Sequence, residues 1–151
     1  MPTLTVTRGL PASGKTTWAR EQQRTVARRA ARVNRDDLRR VLHGGMIGAE
    51  WAERQVTLAQ RAAIEALLRR GVDVICDDTN LRADVMRALA ALARRCDADF
   101  VVQDFTGVPV DLCIERDRAR PVDEQVGAAV IRDMYRRYLA PSVPIADGDQ
   151  S

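Results

Sequence analysis

"TLTVTRGLPASGKTTW", residues 3–18, decides the fold. Its first six residues alternate and are rich in β-branched side chains, the pattern of a strand. Gly9 ends that pattern, and from Lys15 the chain reads as a helix. Between them runs Gly, four residues, Gly-Lys-Thr (9–16), a glycine-rich turn from strand to helix. Glycines let the backbone curl and aim successive N–H groups at one point, and the helix N-terminus adds positive potential there. Such a turn cradles phosphates. Gly9, Ser13, Gly14, Lys15, Thr16 and Thr17 form the expected binding set. Lys15 neutralises the β- and γ-phosphates of a nucleoside triphosphate, and the Thr16 hydroxyl ligates Mg²⁺. The plain alternative, a glycine turn without a ligand, gives no reason for the position of Lys15. Of 24 basic residues it is the only lysine, and arginine's wide planar fork substitutes poorly for a compact ammonium in such a cradle.

Beyond this stretch, strands and helices alternate. The helix from Lys15 is expected to reach residue 30. "AARV" (30–33) reads as a second strand, "DDLRRVLH" (36–43) as a helix broken by Gly44 and Gly45, and Trp51 to Arg70 as a long helix ended by Gly71. "VDVIC" (72–76) is a third strand, 82–96 an amphipathic helix and "ADFVVQDF" (98–105) a fourth strand. Two more helices are expected near 109–119 and 124–139. Strands separated by helices of ten or more residues imply βαβ units, hence an α/β fold with a parallel sheet and helices on both faces. The domain spans 1–139, and "APSVPIADGDQS" (140–151) reads as a linker or disordered tail.

In such a sheet all strands end at one edge, and ligands bind in the crevice outside it. The third strand delivers "DDTN" (77–80) there. Asp77 or Asp78 can hold Mg²⁺ directly or through water, with Thr79 and Asn80 orienting nearby groups; the bland alternative makes Asp77, Asp78 and Asn80 turn and cap residues of the next helix. The second strand delivers "NRDDLRR" (34–40). Helical spacing puts Asp36, Arg39 and Arg40 on one face and Asp37 about 100° away. A carboxylate there can take a proton from an attacking hydroxyl, and a guanidinium beside it can grip an anionic group on the acceptor. The alternative is an ordinary surface salt bridge. In "CIERDRAR" (113–120), Arg116 and Arg120 sit four apart on one helical face and can close over a nucleotide as a helical lid. Against this stands a solvated helix with Glu115 and Asp117 as partners.

"GLPASGKTTWAR", "NRDDLR", "DDTNL" and "ERDRAR" followed by "IRDMYRRY", in this order, resemble the kinase domain of bacteriophage-type polynucleotide 5′-hydroxyl kinases, P-loop phosphotransferases, over roughly residues 3 to 140. The resemblance implies transfer of the γ-phosphate of ATP, or another NTP, to the 5′-hydroxyl end of DNA or RNA in end repair. It implies Asp36 as general base, Arg39 on the acceptor phosphate, Lys15 and Thr16 on donor phosphate and metal, Asp78 as the aspartate of "DTN", and Arg116 and Arg120 as the lid. Bifunctional members carry a phosphatase domain, marked by DxDGT, after the kinase. "IADGDQS" does not match it, so the expectation is a kinase alone or the N-terminal part of a longer native chain with a C-terminal phosphatase domain.

Composition sets outer bounds. At 151 residues the chain is one domain, and its net charge of +3 permits a nucleic-acid partner without demanding one. Arg20, Arg24, Arg28 and the arginines of "YRRY" can contact phosphates, with Tyr135 or Trp51 as stacking surfaces; a solvated arginine face and core aromatics are the alternative. His43 has no metal-ligand companions. Cys76, Cys96 and Cys113 lack the spacing of a zinc site or disulfide framework and read as buried thiols. No apolar run spans a bilayer and no signal core opens the chain, so a cytoplasmic protein with no membrane partner is expected, a homo-oligomer being compatible. Two other functions fit the cradle. One is a small-molecule kinase for a nucleoside or sugar. The other is a non-catalytic NTP-dependent switch, which needs no acceptor-facing base.

Overall fold

The computed structural model describes residues 1–25 and 30–141. Four parallel strands, β1 (Thr3–Arg8), β2 (Ala31–Val33), β3 (Val74–Cys76) and β4 (Asp99–Asp104), form one sheet in the order β2-β3-β1-β4. Leu4 stands opposite both Val74 and Phe100, and Ala31 opposite Val74. Six helices complete the fold: α1 (Lys15–Arg24), α2 (Arg35–His43), α3 (Glu50–Arg69), α4 (Ala83–Arg95), α5 (Val110–Arg118) and α6 (Ala128–Tyr138).

Side chains of a strand alternate between the two faces of its sheet. On one face Leu4, Val6, Val33, Val74 and Cys76 meet Ile64 and Leu68 of α3 and Leu89, Leu92 and Ala93 of α4 in the main core. A smaller core of Leu10, Leu81, Cys113, Ile114 and Ile131 joins α5 and α6 to the loops at the carboxyl edge. All three cysteines are buried free thiols. Among the described residues no helix is long and apolar enough to cross a membrane.

Two boundaries depart from the sequence pattern. α1 stops at Arg24 because Thr25 turns extended (φ −72°, ψ 127°), its hydroxyl donating to the carbonyls of Glu21 and Gln22. Residues 26–29 of the expected helix, with Arg28, lie outside the described residues. The last helix begins at Ala128 rather than near 124, because Val122–Glu124 form a 3-10 turn and Gly127, at a φ of 98°, separates that turn from α6. Of the expected tail, residues 142–151 lie outside the described residues. Gly71 (φ 77°) closes α3 as its position promised, with the N–H of Val72 reaching back to Leu67 at 3.0 Å.

Candidate active site

The cradle forms where β1 hands over to α1. The N–H of Gly9 donates to the Thr79 carbonyl at 3.0 Å, tying the turn to the end of β3. A Cβ on Gly9 would stand 2.8 Å from Phe105 Cβ and 2.9 Å from Ser13 Oγ, so no larger residue fits without displacing them. Gly14 has φ 104°, and Ala12 takes a left-handed φ of 61°. α1 opens with no side-chain cap and no acid in its first turn, which leaves its N–H groups for an anion. Lys15 is 7% exposed, and its ammonium donates to the Leu10 carbonyl and to Ser13 Oγ. Burial pulls its pKa down to about 8, with the charge of Asp77 opposing.

Over this turn lies a cavity of about 510 Å³ whose lining includes Ser13, Gly14, Thr17, Trp18, Arg116 and Arg120. Both lid arginines thus meet the cradle, and Arg116 Nη1 would lie 3.9 Å from a Cβ on Gly14. Among the described residues neither Arg116 nor Arg120 has an ion pair with Glu115 or Asp117, and Arg116 is exposed. Asp117 between them is buried, and its two oxygens accept the N–H groups of Val126 and Gly127, each at 2.9 Å, at the start of α6. Sequence spacing alone offered it as an arginine partner; it is instead the clasp of the lid.

The end of β3 is the most densely bonded point of the crevice. Asp77 is buried. Its Oδ2 accepts from Arg32 Nε at 2.7 Å, its carbonyl accepts from the Asn34 side chain, and its Oδ1 has no partner among the described residues. The carboxylate of Asp78 is fully engaged: Oδ1 accepts from the backbone of Arg35 at 2.9 Å and Oδ2 from Gln60 Nε2 at 2.6 Å. Burial pushes the Asp78 pKa up to about 6, against the pull of Arg35. Asn80, at φ 46°, donates to the Thr7 carbonyl at 2.8 Å and pins β3 to β1. The bland reading of these residues as caps of the next helix is wrong in one respect. Arg82 precedes α4 with no side-chain cap, whereas Asp78 caps α2 instead.

Asn34 also caps α2, accepting from the Asp37 N–H at 3.0 Å. In the first turn, Asp36 accepts from Arg39 Nη1 at 2.6 Å. Arg40 does not join them, as the helical spacing had suggested; it leans to Asp37 at 3.4 Å, and Asp37 is held by Arg32 at 2.7 Å. Glu53 of α3 grips Arg39 through both its oxygens, at 2.6 and 2.9 Å, and also takes Arg35 at 2.9 Å. Arg39's hydrogen bonds hold the Glu53 carboxyl down at about 2. A second cavity, about 330 Å³, lies beside this cluster and is lined in part by Asp78, Thr79 and Asn80. Asp36 and Arg39 line neither cavity.

Sequence reasoning missed Glu53, Gln60 and Arg32. An acid in the first turn of a helix, as Glu53 is, reads as a dipole complement, and nothing in its spacing names a partner fourteen residues away. His43 packs edge-on against Trp51, ring centroids 5.2 Å apart. Arg136 and Arg137 both lean on Asp133.

Among the described residues, a buried ammonium without a counter-anion in contact, two arginines without ion pairs and a carboxylate oxygen without a partner fit a polyphosphate carrying a hard cation. Together with the parallel sheet they define a P-loop phosphotransferase fold. Within that class the chain belongs to the AAA_33 family, described as an AAA domain, whose model matches residues 4–141. It is 26% identical over 149 residues to an L-seryl-tRNA(Sec) kinase of Methanococcus maripaludis, covering 95% of this chain and 55% of that protein. A chain of the Pnkp1/Rnl/Hen1 RNA repair complex superposes with a TM-score of 0.80 at 28% identity, over 90% of this chain and 43% of that one. Kti12 of Chaetomium thermophilum, solved with ADP-AlF3, matches at a TM-score of 0.67 and 25% identity, over 92% and 81%. The chain thus spans about half the length of the first two relatives.

Proposed function

We propose that the chain is a polynucleotide 5′-hydroxyl kinase, moving the γ-phosphoryl group of ATP or another NTP to the 5′-OH end of DNA or RNA. The observation that carries this reading is Asp36, paired with Arg39 at 2.6 Å on the first turn of α2, which starts beside the carboxyl end of β3. A switch needs the cradle and lid but no such carboxylate. The likeness to a chain of an RNA repair complex supports a nucleic-acid acceptor.

In this mechanism Lys15 and the N–H groups of residues 13–17 hold the donor phosphates, and Arg116 and Arg120 offset charge on the phosphoryl group in flight. Asp36 draws the proton from the attacking hydroxyl. Arg39 holds Asp36 in place. Mg²⁺, when bound, supplies charge neutralisation on the phosphates; Thr16 and a carboxylate at the end of β3 would hold it. Of the two carboxylates, Asp77 offers an oxygen without a partner among the described residues, while both oxygens of Asp78 accept hydrogen bonds. Thr79 and Asn80 border the acceptor side.

A second reading has its own support. The 26% identity to a kinase named for L-seryl-tRNA(Sec) extends over nearly the whole chain, which favours a hydroxyl carried on an RNA but away from its 5′ end. Transfer of labelled γ-phosphate from ATP with Mg²⁺ to a short 5′-hydroxyl oligonucleotide separates the two. Labelled oligonucleotide supports the first reading. Label on seryl-tRNA or on a free nucleoside, with none on any oligonucleotide, overturns it.

A further inference from the structure

The cavity of about 330 Å³ beside α3 and α4 touches no residue of the phosphate cradle and neither lid arginine. Its floor is nevertheless part of the crevice. The floor runs from Asp78 to Leu81, where the Thr79 carbonyl accepts from Gly9 and the Leu81 carbonyl from Arg8 Nη2 at 3.3 Å. The lining combines two chemistries. Val85, Met134 and Tyr138 are apolar or aromatic, and Tyr138 is partly open to solvent. Arg61 is a cation of a different standing from its neighbours. Arg32, Arg35, Arg39, Arg40, Arg54 and Arg82 each meet a carboxylate within 4 Å. Among the described residues Arg61 meets none, and its Nε is buried without an acceptor.

Arg61 lines the cavity with no carboxylate in reach among the described residues, and a guanidinium favours a phosphate. A cavity of this volume with an aromatic wall takes one nucleoside. Arg39 has Nε, Nη1 and Nη2 all engaged by carboxylates, whereas Arg61 still has donors to give. In a strand whose 5′-oxygen is the acceptor, the next anionic group is the 3′-phosphate of the same nucleoside. We propose that this cavity seats the first nucleoside of the acceptor strand, its base against Tyr138 and Met134 and its 3′-phosphate on Arg61. The proposal rests on the polynucleotide reading above.

The test is calorimetric titration of adenosine 3′-monophosphate and of adenosine into the protein saturated with Mg²⁺ and a non-hydrolysable ATP analogue, which fills the donor cavity. The expected result is binding of the 3′-phosphate about tenfold or more tighter than adenosine. Arg61→Gln erases that preference while leaving adenosine affinity unchanged, Arg61→Lys restores part of it, and Tyr138→Ala weakens both ligands. Equal affinities in the wild type, or a preference that survives Arg61→Gln, overturns the proposal. Phosphorylation of oligonucleotides is read separately. A preference in a protein that phosphorylates no oligonucleotide keeps this pocket and removes the 5′-hydroxyl kinase. Oligonucleotide transfer that Arg61→Gln leaves intact, with no preference, keeps the kinase and removes the pocket.

Discussion

Arg39 donates to Asp36 across 2.6 Å while both oxygens of Glu53 close the other side of the same guanidinium. The carboxylate assigned as base is therefore steered by an arginine that is itself steered. Asp36→Ala should lower phosphoryl transfer ~10²-fold or more, the scale of a lost general base, and leave ADP affinity within about twofold. Glu53→Gln should raise the acceptor KM more than it lowers kcat, because it loosens Arg39 and leaves Asp36 present. Steady-state kinetics with ATP and acceptor varied in turn measures both. Full transfer by Asp36→Ala would remove the base assignment.

Lys15 gives a pH signature. Its ammonium is buried and ionises near pH 8 in the free protein, and bound phosphate favours the charged form. ADP affinity should hold steady up to about pH 8 and then fall by up to about tenfold per pH unit, measured by titration calorimetry between pH 6.5 and 9.5. Lys15→Arg does not titrate in this window, so its weaker binding should stay flat.

Asp78 gives a stability signature of the opposite chemistry. Its folded pKa, about 6, lies above its ordinary value of 3.8, so the folded state prefers the protonated form. The stability this contributes is complete below about pH 4 and lost as pH rises through about 6. Asp78→Asn keeps the acceptor for the Arg35 N–H without a charge to bury. In nucleotide-free protein its stability relative to wild type should improve by on the order of 2 kcal/mol between pH 4 and pH 8. Thermal melts at both pH values read this difference, and a pH-independent offset would contradict it.

Gly9→Ala should damage the cradle directly. The added Cβ meets Phe105 Cβ at 2.8 Å and backbone at 3.1 Å, so Phe105 or the turn must move. A loss of about 1–3 kcal/mol in stability, with weakened ADP binding, is the expected outcome of such overpacking.

Much of this architecture was legible in the sequence because its signals are local. β1, the glycine turn and the start of α1 announce themselves in one short unbroken stretch, whereas Arg116 and Arg120 do not share a helical face as their spacing suggested, because α5 ends at Arg118 and Arg120 lies in the turn beyond it. Glu53, Gln60 and Arg61 were invisible for a physical reason. They stand on α3, whose apolar stripe places it on the sheet, but the turn at Gly44 and Gly45 sets which of its polar residues meet α2 and the end of β3. Asp77 and Asp78 read alike in sequence. Just past the end of β3 their side chains part, so one meets Arg32 and the other meets Gln60 and the N-terminus of α2.

The clasp made by Asp117 reaches further than the lid it fastens. By gripping Val126 and Gly127 it couples the end of α5 to the start of α6, and the shared core of Cys113, Ile114 and Ile131 makes the two helices one lever. One arm of that lever ends in Arg116 and Arg120 over the phosphate turn, and the other in Met134 and Tyr138 at the second cavity. The same pair of helices thus walls both cavities, one at each end.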